Sequence, residues 1–190
     1  MLSTRTLSVI LADTKDAHMF KPETTEFDPY YSKYLSLVPE ADIRNVFAAQ
    51  PAELRVALQG LPEARGTFAY DDGKWTIKEV LSHIIDTERI FAYRMLRISR
   101  GDTTPLPGYD QENPGYIGFS RANERSFDDL LSEFDHVRLS NSLMLNNMDE
   151  AALKRIGIAN DSPISVRALA GISVGHVRHH LNILKERYLG

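Results

Sequence analysis

The sequence predicts an all-α protein, and more specifically a four-helix up-down bundle. Apolar side chains recur at helical spacing in four long stretches, separated by segments rich in proline, glycine and asparagine. No stretch of any length alternates apolar and polar residues as a half-buried strand would. A chain of 190 residues with 43% hydrophobic and 25% charged content is large enough to bury one core. These observations favour a single helical domain of the bundle type.

The first two helices are delimited by proline and by a capping signal. Helical spacing of apolar residues over 39–63 predicts helix one. We expect this helix to be kinked or split, because Pro51 disfavours helical geometry at the residue before it. Thr76 and Glu79 form a Thr-x-x-Glu capping box, which begins a long amphipathic helix two that ends at about Arg100.

Two further helices follow a long irregular segment. Residues 101–120 contain too much proline, glycine and asparagine for a regular element, and a loop of this length in a compact domain is more often functional or disordered than idle. Ser126 begins helix three, which runs to about Asn146, and Ser165 caps a last helix that continues to Tyr188. We expect the long loop to supply substrate contacts.

The N-terminal region is the least informative part of the chain. Residues 1–38 are predicted to be an extension that is partly disordered or peripheral, and residues 39–190 to form the bundle domain. The apolar run 7–12 is short for a signal peptide and far shorter than the roughly 20 apolar residues of a membrane helix. We therefore expect a cytoplasmic protein with no membrane partner.

Charge and cysteine content exclude several classes of function. The chain has 22 Lys and Arg against 26 Asp and Glu, for a net charge of −4. Because no long basic run offers contacts to a phosphate backbone, nucleic acid is not an expected partner. The absence of cysteine removes disulfides, thiolate metal ligands and a cysteine nucleophile. Histidines and carboxylates remain as the candidate metal ligands.

Two histidines of the last helix share its apolar face. Because each residue turns the helix by ~100°, His180 lies about 40° from His176, close to Leu169, Ile172 and Ile183 on the same face. A lone inward histidine is commonly a hydrogen-bonded core residue. A pair at positions i and i+4 is harder to explain in that way, because each buried imidazole needs partners for two ring nitrogens. The pairing indicates a metal site.

A third histidine, on helix two, could complete such a site. At ~100° of rotation per residue, His83 shares a helix face with Val80 and Ile90, so we expect it to point towards the bundle interior. One histidine from one helix and His-x-x-x-His from another supply three neutral nitrogen donors and leave coordination positions open. The adjacent His179 lies nearer the edge of the apolar face, and we do not expect it to bind the metal.

Other polar residues could supply acid or base groups. A zincin peptidase is excluded, because its His-Glu-x-x-His motif needs a glutamate where this chain has Val177. The candidate catalytic residues are Asp86 on helix two and Tyr109 and Asp110 on the long loop, with Glu79 as a further candidate. For each of these four, a structural role is the leading alternative.

Arg94 of helix two is a candidate for binding an anionic substrate. If the apolar face of helix two turns towards the bundle interior, the Arg94 guanidinium could bind an anionic thiol. It could instead pair with a carboxylate of helix three such as Glu133. The sequence leaves both alternatives open.

Four sequence blocks together carry a family resemblance: KWTIKEVLSHIIDTERIFAYRMLRISRGD, PLPGYDQ, SFDDLLSEFDHVRLSNSLML and SVRALAGISVGHVRHHLNILKERYL. In this order they resemble the DinB-like (YfiT-type) family of metal-dependent hydrolases and thiol S-transferases, from about Ile43 to Leu189. The resemblance implies a four-helix bundle with a long crossover loop, often dimeric. It also implies a divalent metal, commonly zinc or nickel, held by His83, His176 and His180.

The resemblance implies two related reaction classes. A bound divalent ion polarises a carbonyl or lowers the pKa of a coordinated water or thiol, so hydrolysis and thiol transfer both follow. Family members of known activity look like S-transferases that use low-molecular-weight thiols. Transfer of a low-molecular-weight thiol to an electrophile, in detoxification or stress response, is therefore the first hypothesis. Metal-dependent hydrolysis of small esters or amides is the second, and a non-catalytic metal-binding stress-response bundle is the third. The expected partners are a small-molecule substrate and a second copy of the chain.

Overall fold

The computed structural model describes residues 20–40, 42–111, 113 and 115–189. Residues 1–19 of the predicted extension therefore lie outside the described residues. Within the described ranges, no helix is both long and apolar enough to cross a membrane. The regular elements, in chain order, are α1 (Ser32–Leu35), α2 (Ile43–Ala57), α3 (Ile77–Ser99), α4 (Phe127–Asn146), α5 (Glu150–Lys154), β1 (Ile156–Ala159), β2 (Ser162–Ser165) and α6 (Val166–Ile183). A π-helical turn, Leu184–Tyr188, extends α6.

The predicted starts of three bundle helices are confirmed by their capping hydrogen bonds. The backbone N–H of Glu79 donates to Thr76 Oγ1 at 3.2 Å, and the backbone N–H of Thr76 donates to Glu79 Oε2 at 2.8 Å. Ser126 and Ser165 cap α4 and α6 in the same manner, each accepting from the backbone N–H three residues later. Glu79 is thus engaged in capping α3, which accounts for it without a catalytic role.

Helix α2 continues through Pro51, so the expected split of helix one does not occur. A proline inside a helix costs about 3 kcal/mol, because it removes one backbone hydrogen bond and its ring crowds the preceding turn. Burial on both sides of Pro51 offsets this cost: Phe47 lies before it and Leu54 after it, and both side chains are almost fully buried. Tertiary packing therefore overrides the local signal.

The predicted four-helix bundle is confirmed, and its helices do not pack in chain order. Helix α3 packs against α4 and α6, and α2 packs against the same two, so α2 and α3 lie diagonally opposite. One hydrophobic cluster joins Leu54 near the end of α2, Ile77 at the start of α3, Phe127 at the start of α4 and Leu181 near the end of α6. Helices α3 and α4 therefore run parallel to each other and antiparallel to α2 and α6. Residues 100–126 return the chain along the bundle, as the predicted long crossover.

A two-stranded hairpin, which the sequence analysis missed, lies in the connection between α4 and α6. Strands β1 and β2 pair antiparallel, with Ala159 opposite Ser162. The two turn residues, Asn160 and Asp161, have φ values of 52° and 60°, the left-handed geometry of a type I′ turn. Leu106 of the long loop bridges to Ala159, so the hairpin fixes the loop against the bundle.

The described part of the N-terminal extension, residues 20–38, packs against α6. Arg167 Nε of α6 donates to Glu26 Oε2 at 2.8 Å, and both side chains are buried. Farther along α6, a Cβ added to Gly175 would lie 2.1 Å from the carbonyl oxygen of Tyr34. This close approach needs glycine at position 175. Residues 20–38 thereby share a hydrophobic cluster with the bundle helices.

Candidate metal centre

Three histidine side chains converge where α3 and α6 cross the bundle interior. His83 lies in the second turn of α3, and His176 and His180 lie one turn apart on α6. The Nε2 atom of His176 is 3.1 Å from Nε2 of His83 and 3.1 Å from Nε2 of His180. Among the described residues, these three form the one group of His, Cys, Asp and Glu whose ligand atoms all lie within 4.8 Å of one another. The structure thus brings together the three predicted metal ligands.

The spacing of the three ring nitrogens suits a divalent metal. Zinc–nitrogen bonds of about 2.0–2.1 Å at tetrahedral angles place two ligand nitrogens roughly 3.4 Å apart. The two separations of 3.1 Å are within a few tenths of an ångström of that value. Imidazole donors suit zinc, nickel, copper and iron alike, so the donor set fits the implied divalent ion.

Burial keeps these imidazoles neutral. It lowers the pKa of His83 to about 4, and the positive charge of His179 contributes in the same direction. Burial also holds the pKa of His176 and His180 well below the ordinary value of 6.5, and the mutual repulsion of the rings adds to that effect. At pH 7 the three rings are therefore uncharged and carry the lone pairs that metal binding needs.

Aromatic side chains fix the orientation of the histidine rings. The ring centroid of Trp75 lies 4.8 Å from that of His83, and the ring centroid of Tyr34 lies 5.5 Å from that of His176. His179 also contacts Tyr34, edge to face at 5.3 Å, and is absent from the group of converging ligand atoms. The ring of His179 also contacts that of His180, with centroids 5.2 Å apart, but its ligand atoms lie outside the converging group.

A cavity of about 450 Å³ adjoins the histidine cluster, and His176 is part of its wall. Three of the other predicted site residues also line it, namely Arg94, Tyr109 and Asp110. The remaining wall residues come from the N-terminal segment, from α3, from the long loop and from the hairpin: Asp28, Tyr30, Tyr31, Tyr34, Thr87, Phe91, Gln111, Asn160 and Ser162. The crossover loop thus borders the site, as expected.

Tyr109 is held in the cavity wall by polar contacts. Its hydroxyl lies 3.2 Å from Thr87 Oγ1 and donates to Gln111 Oε1 at 3.2 Å. Burial raises the pKa of the Tyr109 phenol above its ordinary value. The hydroxyl therefore stays protonated at neutral pH and can donate a hydrogen bond.

Two predicted placements on α3 differ from the structure. Glu133 binds Arg89 at 2.6 Å and Arg125 at 2.5 Å, so of the two alternatives left open for Arg94, the pair with Glu133 is not formed. The parallel packing of α3 and α4 places Glu133 beside Arg89, which is more than one turn before Arg94. Asp86 is outside the histidine group and outside the cavity wall, and burial raises its pKa.

The N-terminal segment also contributes to the cavity, which was not expected from its sequence. Tyr30, Tyr31 and Tyr34 form one wall of the cavity, and their ring centroids lie 5.4 to 6.4 Å apart. The stretch DPYYSKYL, with three tyrosines in five positions, was the available signal. Such a density of aromatic rings is unusual for a segment that contacts only solvent.

Comparison with known proteins places the chain in a family. The chain is 24% identical to YfiT of Bacillus subtilis (strain 168) over 139 residues, which cover 72% of this chain and 76% of YfiT. The solved structure of YfiT, described as a probable metal-dependent hydrolase with an unusual four-helix bundle topology, matches with a TM-score of 0.66 at 19% identity, over 87% of this chain and 90% of that one. The family model of the DinB superfamily matches residues 47–184, which include the three converging histidines. The protein therefore belongs to the DinB superfamily, and the resemblance read from the sequence is confirmed.

Proposed function

We propose that the protein is a divalent-metal-dependent enzyme that transfers a low-molecular-weight thiol to an electrophile. His83, His176 and His180 would hold the ion, most simply zinc or nickel. The observation that supports this proposal above all others is the convergence of three neutral imidazoles beside a cavity. When bound, such an ion supplies Lewis acidity, polarising a carbonyl or lowering the pKa of a coordinated thiol or water.

Charge balance favours a thiolate over a neutral group at this centre. The three imidazoles contribute no negative charge, and no carboxylate of the described residues joins their group. A thiolate would therefore supply negative charge that offsets the charge of the divalent ion, which the neutral imidazoles cannot do. Because the chain contains no cysteine, the thiol must come from another molecule, which we propose to be a small one.

The cavity residues would bind and orient the two substrates. Arg94 places a positive charge in the wall beside His176, where it would bind an anionic group of the thiol or the electrophile. The Tyr109 hydroxyl, which donates to Gln111 in the structure, would donate to the substrate instead, and the Asp110 carboxylate would act as a hydrogen-bond acceptor or general base. Asp86 is not in the cavity wall, so it would act on the substrate only through an intervening group.

Metal-dependent hydrolysis of small esters or amides is the second candidate. The description of YfiT as a probable metal-dependent hydrolase favours it, and the same three-histidine geometry would serve that reaction. A non-catalytic metal-binding bundle for stress response is the third. It would predict stoichiometric metal with no turnover of either substrate class.

Parallel assays of thiol transfer and hydrolysis test these alternatives. The metal-loaded protein is assayed with a panel of low-molecular-weight thiols against a chromogenic electrophile, and separately with chromogenic esters and amides. His176→Ala is the blank in both assays. We expect thiol-dependent turnover that His176→Ala abolishes. Ester turnover that needs His176 and is independent of thiol would favour the hydrolase, and inactivity of fully metallated protein would favour the non-catalytic bundle.

Two further expectations concern assembly and location. The family resemblance implies a homodimer, and the sequence analysis favours the cytoplasm. Light scattering of the purified full-length chain would measure its mass in solution, and fractionation of cells that express it would give its compartment. A monomeric mass, or a protein recovered outside the cytoplasm, would contradict the corresponding expectation.

A further inference from the structure

Arg94 is a buried cation in the cavity wall, and no described residue supplies it with an anionic partner. Its side chain is 4% exposed, and its Nη2 donates one hydrogen bond, to the carbonyl oxygen of Pro107 at 3.1 Å. Within the described residues, no carboxylate lies at ion-pair distance from its guanidinium. Burying a guanidinium without an anion is costly, since the charge loses hydration and gains little in return. The arrangement is therefore suited to an anion that enters from the cavity.

Two tyrosines in the same cavity wall share the surroundings of Arg94. Tyr31 comes from the N-terminal segment, Tyr109 comes from the long loop, and both line the cavity with Arg94. The guanidinium charge acts on both phenols, lowering their pKa, while burial raises it more strongly. Both hydroxyls therefore remain protonated at neutral pH. The Tyr109 hydroxyl donates to Gln111 Oε1 at 3.2 Å, and a bound anion would take over that hydrogen bond.

We propose that Arg94, Tyr31 and Tyr109 form a binding subsite for the carboxylate of a small-molecule substrate. The inference rests on the proposed function, whose anionic substrate it specifies as a carboxylate. Because His176 lines the same cavity, a molecule anchored through its carboxylate at Arg94 would direct its other end towards the histidine cluster. Tyr31 lies before the family-matched residues 47–184, so this subsite depends on a segment outside the family core.

The charges around the cavity favour a carboxylate over a phosphate. The cavity wall also contains Asp28 and Asp110, whose negative charges repel a dianion more strongly than a monoanion. A guanidinium binds carboxylates and phosphates alike through two parallel N–H donors, so the negative charge of the wall is what favours the carboxylate. The subsite therefore combines one cation and two neutral donors for a monoanion, within a wall that disfavours higher negative charge.

Calorimetric titration of the metal-loaded full-length protein with three related probes tests the proposal. Benzoate carries the carboxylate, benzamide is its neutral analogue, and phenyl phosphate is its phosphate counterpart. We expect benzoate to bind more tightly than both others. No measurable binding of benzoate, or tighter binding of phenyl phosphate or benzamide, would overturn the proposal.

Arg94→Gln removes the charge and keeps a side chain that can still donate to Pro107. We expect it to weaken benzoate binding by about ten- to a hundredfold, the usual effect of losing a charge-assisted hydrogen bond. Arg97→Gln is the matched control, since Arg97 lies on the same helix, pairs with Asp102 and is outside the cavity wall. Equal affinities of Arg94→Gln and the native protein would overturn the proposal.

A milder substitution tests the subsite without removing a buried charge. Tyr31→Phe deletes one hydroxyl and should weaken benzoate binding by about two- to tenfold. Tyr70→Phe, outside the cavity, should leave it unchanged. Metal content and thermal stability are measured for every variant. If both variants bind benzoate as the native protein does, while the native protein carries stoichiometric metal and turns over thiols, the subsite is excluded and the proposed function stands. If benzoate binding depends on Arg94 but the metal-loaded protein shows no turnover, the subsite is supported and the proposed function is contradicted.

Discussion

The Nε2 atoms of His83 and His176 lie 3.1 Å apart, although 93 positions separate the two residues in sequence. The contact exists because α3 and α6 are antiparallel neighbours in the bundle, which places the beginning of one helix beside the end of the other. The third ring, that of His180, is one helical turn from His176 on the same face of α6. The folded bundle therefore positions all three donors.

Alanine substitution of any one of His83, His176 and His180 should abolish stoichiometric metal binding. Each variant would leave two imidazoles, one fewer than the three protein ligands of such a site. His179→Ala is the matched control, because its ring contacts Tyr34 and lies outside the converging group. Elemental analysis of the purified variants measures the outcome. An equal loss of metal from His179→Ala would mean that the wrong residue of the adjacent pair was chosen.

Metal should stabilise the folded protein. A ligand that binds only the folded state, at a free concentration a hundredfold its dissociation constant, adds about 2.7 kcal/mol to the free energy of unfolding. Chelation should therefore lower the melting temperature, as measured by circular dichroism with and without a chelator. The His176→Ala variant should show no such difference. An unchanged melting temperature in protein that demonstrably binds metal would argue against a site within the bundle.

The stability of the metal-free protein should fall as the pH decreases from about 6.5 to about 4. Burial lowers the folded pKa of His83 to about 4, below its ordinary value of 6.5. In that window the unfolded state binds the proton and the folded state does not, so lowering the pH favours unfolding. His83 alone corresponds to about 3 kcal/mol across the window. Denaturant titrations at several pH values measure this loss, and His83→Gln should reduce it. A loss of the same size in that variant would contradict the assignment.

Gly175→Ala should displace the N-terminal segment from α6. A methyl group at this position would lie 2.1 Å from the carbonyl oxygen of Tyr34, so the backbone must move. We expect a loss of about 1–3 kcal/mol in the free energy of unfolding, typical of overpacking a tight contact. Gly118→Ala is the control, since a Cβ there meets nothing within 4 Å. Faster proteolysis after Tyr30 or Tyr31 would report the displacement, and native protection in Gly175→Ala would contradict it.

Glu88→Ala should destabilise the bundle strongly. Glu88 Oε2 lies 3.0 Å from Arg138 Nη2, and both side chains are almost completely buried between α3 and α4. Removing the carboxylate leaves a buried guanidinium without its anion, which typically costs about 3–5 kcal/mol. Glu150→Ala removes the exposed pair with Lys154 and should cost far less, because solvent screens that pair. Denaturant unfolding of both variants compares them, and similar losses would contradict the buried pair's role.

Most of the bundle and its histidine cluster could be predicted from local sequence signals. The capping residues Thr76, Ser126 and Ser165 mark helix starts through hydrogen bonds that span only three positions. His176 and His180 are assigned to one face by helical periodicity alone. These features depend on nearby residues, and local patterns therefore identify them.

Features that depend on long-range packing were not predictable in the same way. Pro51 indicates a break by local geometry, and only the burial of Phe47 and Leu54 explains the continuous helix. The partner of Glu133 depends on the parallel alignment of α3 and α4, which no single helix encodes. The hairpin is too short for its alternation to stand out, although the Asn160–Asp161 turn offered a signal.

The cavity wall combines residues of the family-matched region with residues that precede it. The converging histidines lie within residues 47–184, which match the superfamily, whereas Tyr30, Tyr31 and Tyr34 precede that region. Changes in the tyrosine-bearing segment would alter which molecules fit beside His176 while the ligand set stays the same. A chimaera in which the corresponding segment of a relative replaces residues 20–40 should therefore change which molecules the cavity accepts and keep the three converging histidines.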